Sequence, residues 1–272
     1  MVRSLWSAAT GMNAQQANVD TIANNLANVN SAGYKAQVAQ FKSLLYQNLQ
    51  SVTTTANGNP KPTSSQVGLG VRISSINSIF TQGSLLDSQS DTAFAIEGDG
   101  FFAIRGEDGN TYYTRNGDFT WALTGNNRIT LTNADGLPVL MTTGREVNLD
   151  RTYIANRLSI SEDGEICYPD ENNNPQPIGM KIALFQFNNP GGLSRVGDTL
   201  FVDTDASGRP INEETNTDVR KSRIVQGYLE GSNVQVANEM VNLIVAQRAY
   251  EMNSKAITTS DSMMEVANNL KR

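Results

Sequence analysis

The chain has 272 residues, 39% of them hydrophobic, with 21 Lys/Arg against 27 Asp/Glu and a formal net charge of -6. That length corresponds to one or two domains, and the negative balance offers no electrostatic basis for binding nucleic acid or an anionic membrane. With no histidine and a single cysteine, Cys167, the sequence lacks the commonest general base, the Ser-His and Cys-His nucleophile pairs, most zinc sites and any intrachain disulfide.

The first residues, MVRSLWSAATGMNAQQ, contain no apolar core, so the sequence predicts export without a cleaved secretory leader if the protein leaves the cytoplasm. Leu5, Met12, Val19 and Leu26 follow one another at intervals of seven. Ala8, Ile22 and Val29 stand three residues after three of them, and Gln15 fills the same place after Met12. This is a heptad seam with one polar interruption, which predicts a helix over about 1–30. Its other faces carry only Arg3 and Asp20 as charges, and TIANNLANVNSAGYK (21–35) places four asparagines between Asn24 and Asn30. A solvated helix face normally carries ion pairs, whereas a neutral amide face suits burial against other polar protein surface. The reading that follows is that this face is solvated in a single chain and enclosed by neighbouring copies. The ends would then be loose in the monomer and order on assembly.

Residues 31–70 are read as an extended linker or loop region. Within it, SVTTTANGNPKPTSSQ (51–66) is polar and poor in apolar residues. From about residue 71 to 231 the pattern changes to short strands punctuated by turns. FFAIRGEDGNTYYTR (101–115) reads as a hairpin, and Gly125–Asn127, Asn133–Gly136 and Glu162–Gly164 mark further turns. Cys167 reads as a half-buried strand residue. Over 232–272 the heptad returns with Val236, Leu243, Tyr250, Ile257 and Met264, and with Ala246, Asn253, Ser260 and Ala267 three places on. A helix of about 234–270 is expected. Trp6 and Tyr250 are read as packing residues. The resulting fold class is α+β: N- and C-terminal helices (1–30 and 232–272) paired in coiled-coil fashion as one discontinuous domain, with an antiparallel β-rich domain inserted at 71–231.

ANNLANVNSAGYK (23–35) resembles the N-terminal signature of the bacterial flagellar rod and hook protein family. QGYLEGSNVQVANEMVNLIVAQRAYEMNSKAITTSD (226–261) resembles its C-terminal signature. Between them QGSL (82–85), AIEGDGFF (95–102), YTRNG (113–117) and Asp163-Gly164 fall in the family's order, so the resemblance spans the whole chain. The opening RSLW (3–6) with Thr10-Gly11 and Gln15-Gln16 is most similar to the distal-rod branch, with a proximal-rod or hook subunit as the alternative within the family. The resemblance implies a structural protein without catalysis or cofactor. It implies export through the flagellar type III apparatus and helical self-assembly into a hollow drive shaft in the basal body, within the cell envelope. Partners would be further copies, the adjoining proximal rod and hook, and a surrounding bushing ring where one exists. The helices would line the inner tube, with Leu5, Met12, Val19, Ile22, Asn25, Leu26, Val29, Leu243, Tyr250, Ile257 and Met264 at the assembly interface.

Three other readings carry less. Asp203, Asp205, Ser207 and Glu214 match a calcium-loop template with Gly208 at the turn, but Pro210 sits where such a loop needs a backbone donor. Glu97 and Asp99 could serve a carboxylate-based glycosidase, yet Glu97-Gly98-Asp99-Gly100 reads first as a tight turn. A secreted β-rich adhesin would not require a neutral helix at each end.

Overall fold

The computed structural model describes residues 2–50, 65–124, 128–150, 152–170, 172, 174–197, 199–216 and 219–270. Most of the 51–66 segment and the Gly125–Asn127 turn lie outside these residues. The chain divides into two compact units. Unit 1 contains Met1–Ala27, Gln37–Asn77 and Gln235–Arg272; unit 2 contains Asn28–Ala36 and Ser78–Val234. The architecture is α+β, with one long helix near each end and antiparallel strands between.

In unit 1, α1 (Val2–Ala27) packs against α2 (Val236–Asn269). The contact runs through small side chains. Ala8 and Ala14 are the buried apolar residues on the first half of α1, and Ala246 and Ser260 are the buried residues of α2. Gly11 lies against Asn253 so closely that a Cβ there would meet Asn253 Nδ2 at 2.8 Å, and the hydroxyls of Ser4 and Ser260 approach to 3.4 Å. On α2 these close approaches fall at Asn253 and Ser260, three places after Tyr250 and Ile257, and on α1 at Gly11 and Ser4, one place before Met12 and Leu5. Glycine and alanine let helix backbones come together, and long side chains at those positions would hold them apart.

Asn25 corrects the expectation of a solvated face. It is 1% exposed. Its Nδ2 donates to the Gln37 carbonyl at 2.8 Å, its Oδ1 accepts from the Gln37 N–H at 2.8 Å, and Nδ2 also lies 3.4 Å from Glu239 Oε2. The amide thus pairs with both backbone groups of one residue, as a neighbouring strand would, so its burial is completed inside a single chain.

The stretch 31–70, read as linker, carries three strands. β1 (Gln37–Ser43), β2 (Tyr46–Gln50), β3 (Ser65–Gly68) and β4 (Val71–Ser78) pair β1 with β4 and β2 with β3, making one long two-stranded ribbon. Leu44 N–H donates to the Gly70 carbonyl at 2.9 Å and bridges the two halves. A ribbon of two strands has no second layer of its own to cover its apolar side chains.

Unit 2 holds the remaining strands. A six-stranded antiparallel sheet runs in the order Ser194–Gly197, Leu200–Val202, Thr111–Thr114, Phe101–Arg105, Leu184–Gln186, Ile211–Asn212. The hairpin expected at 101–115 lies at its centre, with Arg105 opposite Thr111, and the chain reverses at Gly106–Asn110. Two three-stranded sheets are formed by Asn148–Asp150, Arg128–Thr132 and Thr120–Thr124, and by Ser159–Ile160, Glu165–Pro169 and Pro175–Lys181. The larger core joins Phe94, Ile96, Phe102, Phe119, Leu149 and Ile166 with further aliphatic residues, and the smaller joins Phe101, Tyr113, Phe187 and Phe201 in edge-to-face ring contacts. Cys167 is buried within the strand Glu165–Pro169, and burial raises its thiol pKa.

Replacing Asn25 by Ala leaves both Gln37 backbone groups without partners, a cost of about 1–3 kcal/mol. Asn25→Glu should be more damaging, since its carboxylate would enter a closed site beside Glu239. Amide exchange of the isolated chain checks this: Gln37 and the last turns of α1 should lose protection in both variants while unit 2 is unchanged.

Candidate functional surface and a buried ion cluster

The described residues show two features that bulk core packing does not account for. The first is where apolar surface is left uncovered. Of the 26 exposed large hydrophobic residues among those described, 19 belong to unit 1 and seven to unit 2, although unit 2 is the larger. On α2 they include Val241, Ile244, Val245 and Met252; on the ribbon, Phe41, Leu45, Tyr46 and Ile73. Exposed apolar residues gathered in one part of a folded chain mark surfaces for other protein or for membrane, and among the described residues no helix is long and apolar enough to cross a membrane.

The expected interface residues fall into three groups. Ile22 and Asn25 are buried; Leu5, Met12, Val19, Leu26, Val29, Leu243, Ile257 and Met264 are half-buried; Tyr250 is 41% exposed. Val19 and Tyr250 come together with Gln16, Gln247 and Glu251 around an open groove of about 380 Å³ in unit 1. Val29 belongs to unit 2, where it packs with Tyr34, Ala36 and Val234. Trp6, expected to pack, is instead 66% exposed, because the α1–α2 contact is made by the small residues beside it. Val236 and Tyr250 apart, the outward apolar residues of α2, Val241, Ile244, Val245 and Met252 among them, lie off the heptad seam. A helix with apolar residues on several faces is the signal that would have found them.

The second feature is a charge cluster in unit 2. Lys35 and Glu230, both fully buried, form an ion pair with Nζ 2.5 Å from Oε1, and the buried Arg115 places Nη1 3.3 Å from Glu230 Oε2. Oε1 also accepts the Gly83 N–H at 3.0 Å, and Lys35 Nζ donates to the Thr81 carbonyl at 2.9 Å. Burial lowers the Lys35 pKa against the opposing pull of Glu230, and lowers that of Arg115 in the same way. The sequence brings Lys35 here through Gly33, which has φ +68° and whose position a Cβ could share only by approaching Asn116 N to 2.4 Å. Arg195 lies over the Tyr34 ring at 4.9 Å and donates to the Lys35 carbonyl at 3.1 Å. The sequence reading named no role for Lys35, Arg115 or Glu230. Only their places inside the two terminal signatures and YTRNG gave any hint.

The other candidate residues lie in turns and at strand ends. Glu97 ends the strand Phe94–Glu97, and Gly98 at φ +131° turns the chain before Phe101. At 203–214, Ser207 Oγ donates to the Thr204 carbonyl, and Glu214 is engaged with Lys181 at 2.6 Å and Lys221 at 3.4 Å. Among the described residues no group of three or more His, Cys, Asp or Glu is placed to hold a metal ion.

Comparison with known proteins agrees along the whole chain. Residues 5–35 match the family "Flagella basal body rod protein", residues 95–168 the "Flagellar hook protein FlgE/F/G D1 domain", and residues 225–270 the "Flagellar basal body rod FlgEFG protein C-terminal" family. The flagellar basal-body rod protein FlgG of Borreliella burgdorferi is 46% identical over 274 residues, covering 100% of both chains. The corresponding proteins of Agrobacterium fabrum and Buchnera aphidicola subsp. Schizaphis graminum are 40% and 39% identical, covering 99% and 97% of this chain and 100% and 98% of theirs. With family matches at both ends and in the β-rich middle, and full-length relatives at this identity, the chain belongs to the flagellar basal-body rod protein family.

Proposed function

We propose that the protein is a structural subunit of the distal flagellar rod, which polymerises helically with copies of itself into a hollow shaft that carries torque toward the hook. The observation that carries this reading is the concentration of exposed apolar side chains in unit 1, on α2 and on the β1–β4 ribbon. One chain leaves this surface open, and burying it between copies at about 25 cal/mol per Å2 of apolar area would drive assembly without catalysis or cofactor. In this reading α1 and α2 pair in coiled-coil fashion as the inner layer of the tube. The seam residues Leu5, Met12, Val19, Leu243, Tyr250, Ile257 and Met264 then complete their burial against neighbouring subunits. Ile22 and Asn25 support that layer from within each chain.

Charge distribution supports the same geometry. Unit 1 carries eight Lys/Arg and five Asp/Glu, unit 2 carries 13 and 22, and from Gln37 to Asn77 the chain has Lys42, Lys61 and Arg72 but no acidic residue. Opposite signs on the two units favour staggered over random association of copies. The partners are further copies, the neighbouring axial proteins of rod and hook, a surrounding ring where one is present, and the flagellar export apparatus. The site of action is the basal body in the cell envelope.

Electron microscopy of the purified chain at high concentration tests the proposal, with hollow rods as the expected product. Val245→Asp, at a position 62% exposed in the single chain, should leave melting within about 0.5 kcal/mol of the parent, as surface substitutions do, and abolish rods. Rods formed equally well by this variant would remove α2 from the interface.

Amide exchange offers a second check. The outer faces of α1 and α2 should exchange faster in the dilute monomer than unit 2 does, and become protected on polymerisation. Equal protection of the ends in both states would contradict assembly-coupled ordering.

A further inference from the structure

The chain passes between its two units four times, at 27/28, 36/37, 77/78 and 234/235. Within unit 2 the segments next to these passages do not run separately. Gly33 N–H donates to the Glu230 carbonyl at 2.7 Å, Ile79 N–H to the Ala36 carbonyl at 2.8 Å, and Gly231 N–H to the Ser84 carbonyl at 2.7 Å. Asn233 links all three segments, with Oδ1 accepting from Ala36 N–H at 2.7 Å and Nδ2 donating to the carbonyls of Ile79 at 2.8 Å and Thr81 at 3.2 Å. Beneath these bonds lies the Glu230 carboxylate, which joins Lys35 from the first segment, Gly83 N–H from the second and Arg115 from the six-stranded sheet's hairpin. The whole arrangement is a knot with a buried ionic centre and an exposed rim at Asn233, Ile79 and Thr81, through which every route of the polypeptide into unit 2 passes.

We propose that this knot is a mechanical clamp, in which Glu230 fastens the entering and leaving segments of the chain to unit 2 so that tension along the polypeptide is borne there before it reaches the β core. The physical argument is one of connectivity. Extending the chain from its ends must first pull 28–36 or 230–234 out of unit 2. Each is held there by ion pairs and hydrogen bonds that have to break together, because they share one carboxylate and one amide. Apolar packing alone yields gradually when slid, whereas a buried ion cluster resists until a charge is stripped of its partner. The clamp gives a single rod subunit a place to carry load, and in that respect it rests on the functional reading above.

Extension of the full chain in an optical trap, held by handles at its two ends, tests the clamp in monomers and so does not depend on whether rods form. The parent chain should show unit 2 rupturing in one main event. Glu230→Gln should raise its rupture rate at fixed load by about 10- to 100-fold. A core variant matched to it in melting temperature, chosen among substitutions such as Leu149→Ala or Ile166→Val, should raise the rate far less. Should Glu230→Gln fail to fold, Asn233→Ala carries the same comparison, since it removes bonds to Ala36, Ile79 and Thr81 and leaves the ion cluster in place. Equal acceleration in knot and core variants of equal thermal stability would overturn the proposal, reducing the cluster to one more contribution to folding.

Discussion

The Glu230 carboxylate is the interaction on which the rest of unit 2 depends. Burying a carboxylate away from water without partners costs several kcal/mol. Lys35, Arg115 and the Gly83 amide are each arranged to offset that cost, and each comes from a different stretch of chain. Losing one partner of such a group costs about 3–5 kcal/mol, a large share of the roughly 5–15 kcal/mol that holds a domain folded. Gly33 and Thr81 serve the same cluster through the backbone: the Gly33 N–H donates to the Glu230 carbonyl and the Thr81 carbonyl accepts from Lys35 Nζ.

Unit 1 is governed by the opposite principle. Its helices meet closely at Gly11 against Asn253 and Ser4 against Ser260, small side chains that bury little area each, and its two-stranded ribbon meets α1 at Gln37 and Gly70 while leaving Phe41, Leu45 and Tyr46 exposed. Unit 2 hides its aromatic residues in edge-to-face clusters, while unit 1 turns Trp6, Phe41 and Tyr46 outward. One part of the molecule is finished as a monomer and the other is left with surface to bury. That division suits a protein that must be a stable particle before it joins a polymer.

Much of this could be read from residues alone, and the exceptions have physical causes. Heptad spacing located both helices to within a few residues, since α1 ends at Ala27 and α2 begins at Val236. The FFAIRGEDGNTYYTR pattern gave a hairpin that sits where it was expected. The ribbon was missed because 37–50 mixes Gln, Ser and Asn among its apolar residues, and its pairing partner lies beyond a polar insertion. The helix contact was misjudged because large residues draw attention in a heptad, while closeness of approach is decided by the small ones. Asn25 looked like surface because its partner, Gln37, lies outside the helical pattern. Apart from its place in the C-terminal signature, Glu230 carries no local mark of burial: a single carboxylate in YLEGSN reads as solvated until Lys35, 195 positions earlier, is seen beside it.

That separation bears on the order of events as the chain is made. Synthesis proceeds from the N-terminus, so Lys35 and Arg115 emerge long before the carboxylate that neutralises them, and until then both remain hydrated. The turn-bounded strands between residues 101 and 181 can pair with near neighbours in the meantime, because local contacts close with little entropy loss. The ion cluster can close only once residue 230 is free to return to the sheet. A truncated chain that stops short of it would keep its cations in water and its entry segment unfastened, so completion of the fold is itself a check on the length of the polypeptide.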